Sequence, residues 1–169
     1  MLETHDVKFI FGIPGVHTVE LYRALSESKI RHITARHEQG AGFMADGYAR
    51  MSGKPGVCLV ITGPGVTNIL TAMAQARSDS IPMLVISGVN KLTNTRNQRG
   101  PLHSLPNQEK LVKKVAIATY TIKKIEETQS IMSKAFAKML SGKPGPVHVQ
   151  IPIDVMTEKM PNIEGFPYK

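Results

Sequence analysis

At 169 residues the chain has room for one domain with a real core. A 41% hydrophobic and 20% charged composition is that of a globular protein, and no apolar run is long enough to span a bilayer, so no membrane partner is expected. The net charge of +8 comes from lysines scattered through the second half (Lys113, Lys114, Lys123, Lys124, Lys134, Lys138, Lys143) with few aromatics among them, which argues for a solvated basic surface rather than a nucleic-acid partner. That charge could still help attract an anionic cofactor or substrate. The single cysteine, Cys58, lies in an apolar run and carries no disulfide framework. The first residues lack a basic region followed by an apolar stretch, so no signal peptide is read and a cytoplasmic location is expected.

In chain order, residues 7–11 are a short β-rich strand leading into Gly12-Ile13-Pro14-Gly15. Residues 18–28 then place Val19, Leu21, Tyr22 and Leu25 near helical spacing. Few residues precede this strand, and the N-terminus reads as trimmed. A second strand spans 30–35. It is followed by a helix over 37–51 that carries small residues (Gly40, Ala41, Gly42, Ala45, Gly47, Ala49) able to admit another backbone closely. Glu38 sits in its first turn, where the helix dipole favours a carboxylate by a few tenths to about 1 kcal/mol. On pattern alone this segment is either a capped packing helix or part of a site.

Glycine and proline in 52–56 end that helix. The strand 57–61 is apolar throughout, as in a strand buried on both faces of a parallel sheet. The turn 62–68 leads into an alanine-rich helix ending near Ser78, and the strand 82–88 is again continuous and apolar. From Val89 to about Gln108 the chain is polar and turn-rich, with Asn90, Asn94, Arg96, Asn97, Arg99, Gly100, Pro101, Pro106 and Asn107, a length that signals function or mobility. A weak strand is expected within 112–120, an amphipathic helix over 126–140 and a last strand over 146–152. The alternation predicts a three-layer α/β/α fold with a mostly parallel, doubly wound sheet. Ligands of such sheets sit at the carboxyl ends of the strands, where the turns 12–15, 36–38 and 62–68 and the segment after Gly88 converge.

Taken singly, the motifs are weak. The turns at Gly12 and Gly63 lack dinucleotide or P-loop spacing, and Pro64 removes an amide that a phosphate would need. His5, His17, His32, His37, His103 and His148 are scattered, so no metal set is read. Asp46 and Asp79 read as surface or packing groups, which leaves Glu38 as the carboxylate nearest the converging turns.

Together, however, Gly12-Ile13-Pro14-Gly15, His37-Glu38-Gln39-Gly40-Ala41, Ala45-Asp46-Gly47-Tyr48-Ala49-Arg50, Gly63-Pro64-Gly65-Val66-Thr67-Asn68, Pro82 to Gly88, Gly145-Pro146-Val147 and Ile151 to Val155 resemble, in order, the N-terminal pyrimidine-binding domain of thiamine-diphosphate-dependent enzymes. The branch is the acetolactate synthase-like and 2-oxo acid decarboxylase group. The resemblance implies that Glu38 hydrogen-bonds N1′ of the cofactor's aminopyrimidine, favouring the imino form whose 4′ nitrogen takes the C2 proton of the thiazolium. A partly desolvated glutamate suits that proton sharing. It also implies cofactor contacts from Pro14, Gly15 and Val16 across a subunit interface, and from Thr62, Gly63, Pro64 and Asn68 around the pyrimidine. His103 or Gln108 is expected to face substrate, the alternative being that they are polar loop residues. Asn107 stands where acetolactate synthases carry a phenylalanine, a departure that weighs against strict acetolactate synthase activity.

The family's other half, marked by Gly-Asp-Gly and a later Asn-Asn, is not in this sequence. The diphosphate and its Mg2+ are therefore expected on the diphosphate-binding domain of a second subunit, in a homodimer or homotetramer. Residues 1–155 are read as the pyrimidine-binding domain and 156–169 as a linker to a downstream domain. The alternative is a non-catalytic or split-subunit module of the same fold serving assembly or regulation.

Overall fold

The computed structural model describes residues 1–92 and 101–158. The expected loop residues Asn94, Arg96, Asn97, Arg99 and Gly100, and linker residues from 159 onward, lie outside it. Six strands and six α-helices alternate: β1 (Phe9–Gly12), α1 (Val19–Ser26), β2 (Arg31–Thr34), α2 (Glu38–Ser52), β3 (Gly56–Val60), α3 (Pro64–Ser78), β4 (Met83–Val89), α4 (Gln108–Val112), β5 (Ala118–Thr121), α5 (Thr128–Leu140), β6 (Pro146–Pro152) and α6 (Ile153–Met156). They form one sheet in the order β2-β1-β3-β4-β6-β5, and every pairing is parallel. The expected three-layer, doubly wound fold is the one observed.

The strand pleat divides the core in two. On one face Ile10, Leu59, Leu84, Ile86, Val147 and Val149 meet Met132, Phe136 and Met139 of α5, with Leu21 and Leu25 of α1 against them. On the other, Phe11, Cys58, Val60, Met83 and Val85 meet Ala41 and Ala45 of α2 and Val66, Ile69, Met73 and Ala76 of α3. Alternate residues of β3 thus feed opposite cores, which is why that strand reads as an unbroken apolar run. Burial drives the Cys58 thiol far above its ordinary pKa, so it is a packing group.

Helix α2 begins on a side-chain cap: Nδ1 of His37 accepts a hydrogen bond from the Gln39 amide at 3.1 Å. It ends on Gly53 at φ 68°, a left-handed cap that glycine adopts without strain. Arg50 on α2 holds both Asp46, one turn back, and Asp79 just past α3, so the two isolated carboxylates tie these helices together. Part of the helix's small-residue face is used inside the domain. A Cβ on Gly42 would lie 2.4 Å from the Cβ of Ala72, whereas Gly40 and Gly47 face open space. Gly42→Val is therefore expected to destabilise the domain by about 1–3 kcal/mol through overpacking. A lower urea midpoint with an unchanged slope would register it, and an unchanged midpoint would refute it.

Two elements differ from expectation. The apolar residues at 112–117 read as strand, but the Lys113 amide bonds to the Glu109 carbonyl and the Ala116 amide to the Val112 carbonyl, extending a helical turn. The strand itself starts only at Ala118. Pro64, expected in the turn, is the first residue of α3, where its missing N–H costs nothing and its φ is already helical.

Candidate functional site

Because β2, β1, β3 and β4 are adjacent and parallel, their carboxyl ends form one rim. The chain leaves β1 to one side and returns to β3 on the other, so the topological switch point lies between β1 and β3. The turns after β1, β2 and β3 all open there.

Glu38 is the first residue of α2 and only 7% exposed. Its Oε2 accepts a hydrogen bond from Nδ2 of Asn68 at 2.9 Å. Asn68 lies on α3, so this bond joins the β2 and β3 crossovers at the rim. Oε1 has no hydrogen-bond partner among the described residues. It lies 3.5 Å from the point a Cβ of Gly65 would occupy, so a side chain there would fill the space before it. Ile61 forms the floor between the turns: a Cβ on Gly15 would meet it at 2.4 Å and one on Gly65 at 2.8 Å. Pro14, Val16 and Pro64 are exposed beside this floor.

The other half of the rim is built on Thr62 and Gly63. Gly63 has φ 64°, and a Cβ on it would lie 2.2 Å from the carbonyl oxygen of His103, so the 101–107 segment rests directly on this turn. Gln108 stands beneath that segment, 3% exposed, with its amide spent. Its Oε1 accepts from the Gly63 amide at 2.9 Å, and its Nε2 donates towards the Gly88 carbonyl at 3.1 Å and Oε1 of Gln150 at 3.0 Å. Gln108 thus reaches the site through the Gly63 turn, whereas His103 is exposed at the rim. Asn107 adopts φ 54° ahead of α4, a left-handed conformation that asparagine tolerates better than bulkier residues.

Of the residues expected from sequence, Pro14, Gly15, Val16, Glu38, Thr62, Gly63, Pro64, Asn68 and His103 all fall on this rim, with Gln108 just below. The sequence reading missed His17. It belongs to the one-turn 3-10 helix Val16–Thr18, is 6% exposed, and its ring stands perpendicular to that of His103 with centroids 5.6 Å apart. Its signal was position alone, two residues past Gly15 in the first converging turn.

The fold and rim define a ligand-binding α/β domain with a carboxylate held at a switch point. The family "Thiamine pyrophosphate enzyme, N-terminal TPP binding domain" matches residues 1–111. The chain belongs to this family. It is 51% identical over 156 residues to "Probable 2-ketoarginine decarboxylase AruI" of Pseudomonas aeruginosa, a match covering 92% of the chain and 28% of that protein. It is 44% identical over 162 residues to "Acetolactate synthase isozyme 1 large subunit" of Escherichia coli, covering 92% of the chain and 27% of the relative. To the chloroplastic acetolactate synthase of Arabidopsis thaliana it is 36% identical over 165 residues, covering 96% and 24%. The chain thus spans about a quarter of the length of these relatives. Among the described residues, no helix is long and apolar enough to cross a membrane, and no cluster of side chains could hold a metal ion.

Proposed function

We propose that this chain supplies the pyrimidine-binding half of a thiamine-diphosphate-dependent enzyme acting on 2-oxo acids, with Glu38 holding the proton shared with N1′ of the cofactor. The observation that carries the reading is the Glu38 carboxylate itself. It is nearly buried, anchored through Oε2 by Asn68, and faces with Oε1 a space that Gly65 keeps clear. Such a carboxylate fits the edge of an aminopyrimidine. One oxygen fixes the orientation and the other is left for the ring nitrogen. Thiamine diphosphate, once bound, supplies the carbanion chemistry at C2. The protein's part is to orient the ring over Ile61, exclude water from the carboxylate, and let Glu38 take and return a proton at N1′.

Decarboxylation is the better-supported outcome. The decarboxylase relative named above is more similar than the two synthases named with it, and the family resemblance puts a phenylalanine in synthases where this chain has Asn107. The diphosphate and Mg2+ belong, in this reading, to the diphosphate-binding domain of a second subunit, which meets the rim through Pro14, Val16 and Pro64. In a calorimetric titration with thiamine diphosphate and Mg2+, the 169-residue chain alone is expected to show weak or no binding. Binding as tight as a complete enzyme's would overturn the division of the cofactor between two domains.

A further inference from the structure

His17 and Thr62 are two buried polar side chains at the rim, each with an atom that has no hydrogen-bond partner among the described residues. These atoms are Nδ1 of His17 and Oγ1 of Thr62, both shut off from solvent. They flank one spot at the end of β4: a Cβ on Gly88 would lie 2.9 Å from Oγ1 of Thr62 and 3.2 Å from Cβ of His17. His103 stands against the His17 ring from the exposed side. His17 therefore leans from β1 across to β4, while Glu38 reaches from β2 to α3.

The unpartnered Nδ1 decides the tautomer. A buried N–H without an acceptor costs about 1–3 kcal/mol and is rare, whereas an unmet lone pair is better tolerated. The proton of a neutral His17 therefore rests on Nε2. Burial, with His103 adding to it, holds the imidazole pKa below its ordinary value and keeps the ring neutral. Nε2–H is then a donor in want of an acceptor, and Nε2 is the nitrogen left to meet a ligand. His148 marks the contrast: its Nε2 is already bonded to Oγ of Ser87 at 2.8 Å, and the residue is fully buried. Its Nδ1 is unpartnered among the described residues as well, but the ring is fully enclosed, with Nε2 already taken, so it offers no edge to a ligand.

We propose that His17 is a further substrate-binding residue, donating its Nε2–H to an oxygen of the 2-oxo acid while His103 closes over the same group. This rests on the function proposed above. The acceptor is assigned to the substrate because the aminopyrimidine edge is already met by Glu38, and a 2-oxo acid presents three oxygens, all acceptors.

The test uses the complete enzyme. His17→Leu removes the donor, whereas His17→Gln returns an amide N–H near the place of Nε2. With a panel of 2-oxo acids headed by 2-ketoarginine and pyruvate, and the best-used member chosen, kcat/KM is expected to fall about tenfold or more in His17→Leu, chiefly through KM. His17→Gln should recover most of the loss, and the affinity for thiamine diphosphate should be unchanged in both. Imidazole 15N spectra of the histidine-labelled protein should place the His17 proton on Nε2. Unchanged kinetics in both variants while Glu38→Gln is inactive would overturn the His17 assignment alone, as would a proton on Nδ1. An active Glu38→Gln enzyme would overturn the site reading and His17 with it. If His17→Leu does not fold, the Gln variant and the spectra decide.

Discussion

Glu38→Gln in the complete enzyme is expected to cut turnover by about a hundredfold or more, because glutamine keeps the shape and the Asn68 contact but cannot exchange a proton with N1′. In the structure Oε2 of Glu38 takes the Asn68 amide, and an amide oxygen would accept the same bond. The substitution thus isolates proton transfer from packing. Exchange of the C2 proton of bound thiamine diphosphate for deuterium, followed by NMR, should slow in step with turnover, while cofactor affinity changes little. Glu38→Ala should lose both, since it also frees Asn68 and opens the space beneath Gly65. Normal C2 exchange in the Gln variant would sink the assignment of Glu38.

Acid should weaken the domain well before its carboxylates titrate, and His148 should dominate that loss. The ring lies fully buried in β6, with Nε2 bonded to Oγ of Ser87 and Nδ1 unpartnered. Burial pushes its pKa down to about 3 from an ordinary 6.5. The unfolded chain therefore binds a proton at His148 as pH drops through 6.5, while the folded chain does not until about pH 3. Stability contributed by the neutral ring is complete above pH 6.5 and is lost as pH falls from there towards 3. Between pH 7 and pH 5 this one group should cost about 2 kcal/mol in urea unfolding. His17 and His32, whose pKa values burial also lowers, act in the same direction. His148→Leu should be less stable at neutral pH, because Ser87 loses its 2.8 Å partner and keeps only the longer contact from Gln108, yet show a visibly flatter pH dependence. Equal pH slopes in the variant and the parent would contradict the assignment to His148.

The sheet was legible because its strands bury both faces. Residues 57–61 and 82–88 are unbroken apolar runs between helical patterns, and only a parallel sheet covered on both sides accommodates that alternation. Glu38 was legible for a local reason: a carboxylate in the first turn of a helix, just past a strand end. Gln108 was singled out as a substrate residue, and its placement beneath the Gly63 turn could not be read locally. Its partners are the Gly63 amide, the Gly88 carbonyl and Gln150. They come from three separate stretches of chain that meet only once β3, β4 and β6 are side by side. The helical turn at 108–116 was missed for a similar reason. Val112 and Ala116 are buried against the α2–α3 side at helical spacing, but the continuous apolar run Val115-Ala116-Ile117-Ala118 masks that period and reads as strand.

By itself, then, the sequence determined the order of strands and helices, the parallel sheet, the edge at which its turns collect, and the acidic residue at that edge. These follow from periodicity, glycine and proline placement, and the handedness of crossovers, all of which act over short stretches of chain. The tertiary structure alone decided which atoms at that edge are spent and which are free. Asn68 occupies one oxygen of Glu38, Gln108 is consumed in holding a turn, and Nδ1 of His17 is left without a partner among the described residues. Hydrogen-bond partnership depends on contacts between residues far apart in sequence, and these exist only after the sheet has assembled.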